Sequence, residues 1–135
     1  MIKKILSLVF IISMIFLCGF KFKERPYVIL SAGTISSTTL QRIERVFFVG
    51  QRINYAIVSP DGLKYSGVRM QLSTQSDKTT NYGYSIISTE DLFIDKYSKS
   101  YQNYFVPRKA GRYILQFFYL NKKNYPFAHI EFLVQ

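Results

Sequence analysis

Few side chains in this sequence are equipped for chemistry. The chain has one histidine, His129, and one cysteine, Cys18. A lone imidazole can act as a general base, but a nucleophilic triad needs it beside an activated hydroxyl and an acid. The acids are few and gather once, as Glu90, Asp91 and Asp95. Carboxylates this close supply the oxygen ligands that calcium takes. Their spacing lacks the alternating D-x-D-x-D of a calcium loop, and Lys96 and Lys99 stand beside them. The pattern points to a solvated, charge-paired loop rather than a metal site. No glycine-rich phosphate cradle occurs, since Gly111 is a single turn glycine. With no catalytic motif and no cofactor signature, the expectation is a protein that is not an enzyme.

Cys18 raises a different chemistry, lipid attachment. It ends an apolar run, Ile5 to Phe20, that follows Lys3 and Lys4. A charged start, a short greasy core and small residues at its end form the layout of an export signal. As a helix the run spans roughly 24 Å, short of a bilayer core. The stretch Ile15-Phe16-Leu17-Cys18-Gly19 resembles the leader of bacterial lipoproteins, in which the cysteine becomes a lipid-bearing N-terminus. It departs from that pattern at Leu17, where a small residue is usual. Three fates stay open: lipidation at Cys18, ordinary cleavage, or retention as an anchor. Each one exports the remainder, so residues 1–20 read as a leader or membrane anchor and 21–26 as a linker. Residues 27–135 read as one domain with no cysteine to cross-link it.

The formal charge is +10, and losing Lys3 and Lys4 with the leader leaves +8. Such an excess favours anionic partners, among them lipid headgroups and acidic glycans. Basic and aromatic residues interleave most densely in "NYFVPRKAGRY" and "LNKKNYPF". Nucleic acid is set aside as a partner, because the leader exports the chain and most of these aromatics fall at core-facing positions.

Positioning those residues is the work of strands. The domain is rich in Tyr, Phe, Ile and Val, which favour extended backbone. Period-2 alternation runs through it. The expected inward sets are Ile53, Tyr55 and Ile57; Val68, Met70 and Leu72; Tyr82, Tyr84 and Ile86; Tyr113, Leu115, Phe117 and Tyr119; and Ala128, Ile130, Phe132 and Val134. Tyr27–Leu30 and a short piece at 92–94 add further strands, and 104–106 adds another. "GTISSTT" reads as a polar connection or an edge strand. The segment 40–49 is ambiguous between an edge strand and a short helical turn. In "SPDG", Pro60 and Gly62 suit the second and fourth places of a type I turn. About seven strands with frequent turns, behind an N-terminal hydrophobic helix, predict an all-β, antiparallel sandwich.

"VPRKAGRYILQF" followed by "PFAHIEFLV" resembles the last two strands of bacterial immunoglobulin-like and fibronectin type III-like domains. "FFVGQRINYAIVSPDG" is similar to the phrase around their second strand. The resemblance implies an immunoglobulin-like sandwich and gives Tyr113 the part of a corner tyrosine, its hydroxyl bonded to backbone. It implies no particular function.

One feature suggests a docking face. Ile114, Phe118 and Leu120 lie on the strand face opposite the core set, joined by Phe48, Val49 and Leu133. Apolar faces of this kind mark interaction sites unless a neighbouring segment, here the one around Ile43, covers them. The expected partner-binding set is Phe118, Leu120, Lys122 and Lys123, with Arg108 and Lys109 at an adjacent turn. The reading is an exported, membrane-tethered module of a bacterial cell envelope, periplasmic or on the surface side, that docks an envelope protein. The alternative is a lipoprotein that binds an envelope glycan or anionic small molecule through Tyr and Lys loops.

Overall fold

The computed structural model describes residues 2–5, 23–36, 44–75 and 83–135. Among them eight strands form: β1 (Tyr27–Ser31), β2 (Val46–Phe47), β3 (Ile53–Val58), β4 (Gly67–Gln75), β5 (Tyr84–Phe93), β6 (Ser100–Phe105), β7 (Gly111–Tyr119) and β8 (Ala128–Val134). They make two sheets, ordered β1-β3-β6 and β2-β8-β7-β4-β5. All pairings are antiparallel except β2 with β8, which is parallel. Three strands face five, making an all-β sandwich. Residues 2–5 are helical, and among the described residues no helix is long and apolar enough to cross a membrane. Cys18 and nearly all of the expected hydrophobic helix lie outside the described residues.

Alternation places the core. The expected inward residues of β3, β4, β7 and β8 are all buried. Val28 and Leu30 of β1 join them. An aromatic chain links the two sheets. Phe47 meets Phe132 edge-on at 6.0 Å, and Phe132 touches Phe105 at 5.6 Å. Phe105 leads to Tyr55 at 6.2 Å, and Tyr55 to Phe117 at 5.6 Å. Each such ring pair adds about 0.5–1.5 kcal/mol beyond the area it buries. In a domain without a disulfide these contacts hold the sheets together.

The ambiguous segment 40–49 resolves in its described part as the short strand β2. Leu133 N–H donates to Arg45 O and Gln135 N–H to Phe47 O, both at 2.8 Å. Phe47 thereby enters the core between the sheets. Ile43 and most of the "GTISSTT" connection lie outside the described residues.

β5 departs from expectation. Two strands were expected, one through Tyr84 and Ile86 and one at 92–94; a single strand runs from Tyr84 to Phe93. Tyr84 and Ile86 face outward and are exposed, while Leu92 is the buried inner residue. Ile87 is left unpaired where the register shifts between Leu72 and Ser73. The reason is lateral: three strands cannot cover five, so the outermost strand meets water on both faces and loses its alternation. Likewise the expected strand at 104–106 begins earlier, at Ser100, as the other sheet's edge.

Tyr113 is a corner tyrosine. Its hydroxyl donates to the Lys109 carbonyl at 2.5 Å, clamping the β6–β7 turn to the start of β7. Tyr113→Phe should leave that carbonyl without its partner and cost about 1–3 kcal/mol, read as a lower urea midpoint with unchanged slope.

Tyr55 poses the opposite case. It is fully buried, and its hydroxyl finds no hydrogen-bond partner among the described residues. Burial, then the nearby Tyr101 and Glu90, push its phenol far above the ordinary value. The unfolded chain releases this proton near pH 10 and the folded chain does not. The stabilisation is therefore complete below pH 10 and is lost as pH rises beyond it, by up to about 1.4 kcal/mol per pH unit. Tyr55→Phe should be about 1–2 kcal/mol more stable at neutral pH and should lack this alkaline decline. Urea melts of both proteins from pH 7 to 11 test it; a destabilised variant at neutral pH would show that the hydroxyl has a partner.

Candidate functional site

The strands run so that three loops share one end of the sandwich: β3–β4 (59–66), β5–β6 (94–99) and β7–β8 (120–127). Backbone bonds knit them. Leu63 N–H donates to Lys96 O at 2.7 Å, Ser59 N–H to Lys99 O at 2.8 Å, and Leu120 N–H to Gly67 O at 3.0 Å. The turn at Ser59–Gly62 closes as expected, with Gly62 N–H donating to Ser59 O at 2.9 Å. Tyr119 ties the first loop to the third. Its hydroxyl accepts from Lys64 N–H at 3.0 Å, and its ring stacks on Phe127 at 4.2 Å and meets Tyr65 edge-on at 5.3 Å.

These contacts shape a concavity of ≈ 690 Å³ lined by Lys64, Tyr119, Lys122, Lys123, Tyr125 and Phe127, among others. The size suits a small ligand. Lys64, Lys122 and Lys123 are exposed, and Tyr125 is 84% exposed. Across the same end, Lys96 and Lys99 flank Tyr97, which is 79% exposed and lies under the Lys96 ammonium at 5.2 Å. Among the described residues the ion pair is Arg69–Asp91, at 2.7 Å. The end is thus a basic surface with aromatic side chains standing free of the core.

The expected partner-binding residues do not form one patch. Lys122 and Lys123 sit at this end, but Arg108 and Lys109 occupy the β6–β7 loop at the opposite end of β7. The nine residues of that strand separate the two pairs by roughly 26 Å or more, so the turns are not adjacent. Phe118 is only 8% exposed, and Ile114 is also buried; Leu120 and Leu133 are half-buried. β7 is flanked by β4 and β8, and its outward residues have lateral neighbours that a single-strand pattern does not reveal. Phe48 and Val49 are exposed, beside Val46 and Val106, in a turn fastened by Gly50 N–H to Pro107 O at 2.8 Å. These exposed apolar residues therefore lie at the far end, away from Phe118.

The candidate catalytic groups are also apart. His129 is exposed on the outer face of β8, opposite Gln116. Glu90 faces the inner side of β5, opposite Met70. Three strand spacings, roughly 14 Å, and the thickness of the sheet lie between them. Asp91 points outward and is bound by Arg69 through two hydrogen bonds of 2.7 and 3.1 Å. That bonding, with Lys123 nearby, holds its carboxyl below the usual range. Asp95 instead caps the next turn, accepting from Tyr97 N–H at 3.0 Å. The acidic cluster of the sequence is divided among two faces and a loop, and among the described residues no group of metal-ligating side chains forms.

A second concavity, ≈ 530 Å³, lies at the other end near Arg52, Asn54 and Tyr104. Its polar groups bond to one another: Arg52 covers the Tyr104 ring at 3.8 Å and donates to Asn54, which donates to Gly33 O at 2.8 Å. Lys64, Tyr97 and Tyr125 were not singled out from sequence. The signal was topological: in this strand order the loops "SPDGLKYSG" and "LNKKNYPF" must share one end.

Comparison with protein families finds no match, and comparison with curated proteins finds none. Among solved structures the chain is similar to a β-glucosidase from Kluyveromyces marxianus, with a TM-score of 0.42 and 12% identity over 87% of this chain. It spans 15% of that enzyme's length. At this level the likeness assigns no activity to the chain.

Proposed function

We propose that this chain is an exported, membrane-tethered module of a bacterial cell envelope, an immunoglobulin-like sandwich that binds rather than catalyses. The leader, with Cys18 as lipidation candidate, supplies the tether. The loop end that carries Lys64, Lys122, Lys123 and Tyr125 supplies the recognition. The observation that carries this reading is the pairing of a concavity with exposed lysines and an exposed tyrosine on mutually bonded loops. Such a surface steers and orients an acidic partner.

Lys122→Glu with Lys123→Glu should abolish capture of an acidic envelope partner while leaving the thermal midpoint within a few degrees, because both side chains are exposed. Phe118→Ser, by contrast, should act on stability first. Pull-downs from envelope extract alongside melts separate the two effects; full binding by the charge-reversed pair would remove the proposal. Intact mass from the native host reads the tether: loss of residues 1–17 with added acyl mass means lipidation, and an unmodified full-length chain means an anchor.

A second reading has its own support. The ≈ 690 Å³ concavity admits a glycan unit or an anionic small molecule. Saturable binding of such a ligand, lost in the same charge-reversed pair and with no protein captured, would favour it.

A further inference from the structure

The chain reaches the loop end by a route that bears on what this end faces. β1 begins there, with Tyr27 opposite Val58. The preceding residues 23–26 stay at that end, where Glu24 N–H donates to the Asp61 carboxylate of the β3–β4 loop. The apolar run of the sequence stops at Phe20, three residues before Lys23. Three residues reach at most about 11 Å. If the run is held in a bilayer, the loop end, and not the far end with Arg108 and Phe48, stands against the lipid surface.

The side chains at this end match that neighbour. Lys64, Lys96, Lys99, Lys122 and Lys123 are exposed, as are Lys23 and Arg25 on the incoming chain. The acids at this end, Glu24, Asp61, Asp91 and Asp95, are fewer; Asp61 and Asp95 accept backbone hydrogen bonds, and Asp91 is bound by Arg69 with Lys123 nearby. Among them project Tyr97 and Tyr125, with Phe93 84% exposed at the end of β5. Lysine with interfacial aromatics is the composition that settles at headgroup level. Each lysine near an anionic surface improves partitioning by about fivefold, and the tether raises the local concentration of lipid at no further cost.

We infer that this loop end rests on an anionic lipid surface, with Lys96, Lys99, Lys122 and Lys123 on the headgroups and Tyr97 and Tyr125 inserted between them. The inference rests on the proposed tether, and it makes lipid headgroups, in place of an envelope protein, the acidic partner of this loop end. The sandwich then lies close to the membrane, its loops down and the Phe48–Val106 end directed away.

The test uses the full chain with Cys18→Ser, labelled with an environment-sensitive fluorophore at Tyr125→Cys or, as the far-end control, at Val106→Cys. Each protein is reconstituted into vesicles of phosphatidylcholine alone or with phosphatidylglycerol. The expected result is a blue shift at position 125 in anionic vesicles only, lost at high salt and lost in Lys122→Glu with Lys123→Glu, with no shift at position 106. Several outcomes overturn it. Protein that floats with vesicles but shows no shift at 125 keeps the tether and removes the docked loops. An equal shift at 106, or in zwitterionic vesicles, removes the charge-directed orientation. Protein that does not float removes the tether and the inference together. A shift at 125 caused by heparin but not by anionic lipid reassigns the surface to an acidic polymer.

Discussion

Phe117→Ala is expected to cost about 3–5 kcal/mol and to lower the melting temperature by roughly 10–20 °C. Phe117 is fully buried on β7, which lies between β4 and β8 in the larger sheet. Its ring faces Tyr55 of the other sheet at 5.6 Å and Phe127 at 6.4 Å. The chain's single cysteine, Cys18, lies outside these strands, so no disulfide joins the two sheets and the β3–β7 contact is made by aromatic rings. A domain of this size is typically stable by about 5–15 kcal/mol, so the truncation removes a large share of the total. Phe48→Ala is the matched control: that ring is 62% exposed, and its removal should change stability by no more than about 0.5 kcal/mol. A Phe117→Ala protein melting within a few degrees of wild type would mean that the sheets do not meet through this ring.

How far such contacts were legible in the sequence depends on what surrounds each strand. β3, β4, β7 and β8 are interior to their sheets with one face on the core, so apolar residues recur at every second position. Tyr55, Met70, Phe117 and Ile130 were identified as inward on that basis, and all are buried. The hydroxyl of Tyr113 was expected to find backbone across its turn, and it binds Lys109 O. β5 was misread because it is an edge: water lies on both its faces, and Tyr84, Ile86 and Leu92 do not share a side. Phe118 was misread for the complementary reason. Alternation reports which face a residue takes, not what stands beside it on the neighbouring strands.

The candidate site was legible in parts and not in its assembly. "LNKKNYPF" was marked as dense in lysine and tyrosine, and Lys122 and Lys123 are exposed there. Arg108 and Lys109 were joined to them only because they are near in sequence to the same strand. A strand carries its two flanking turns to opposite ends of a sheet, so proximity through β7 means separation in space. Lys64, distant in sequence, arrives beside the concavity, and Tyr97 at the same end of the sandwich, because antiparallel pairing brings alternate loops to one end.

Those loops depend on one glycine, and its replacement makes the second large effect. Gly62 has φ of 78°, in the left-handed region that side chains resist. A Cβ there would also overlap the backbone carbonyl oxygen of Lys96. That oxygen accepts from Leu63 N–H and joins the β3–β4 loop to the β5–β6 loop, so it cannot move away without breaking the joint. Gly50 separates the two causes. Its φ is 80°, nearly the same, yet nothing lies within 4 Å of the place its Cβ would take. Gly50→Ala should therefore show the backbone term alone, about 1–2 kcal/mol. Gly62→Ala should add the cost of forced packing and lose about 2–5 kcal/mol in all. The excess has a local signature: amides of 94–99 should exchange hydrogen faster in Gly62→Ala than in Gly50→Ala, because the loop holding Lys96 and Tyr97 is released first. Equal losses in the two variants would mean that the loops are not joined at Lys96, and the basic surface built on that joint would lose its rigidity.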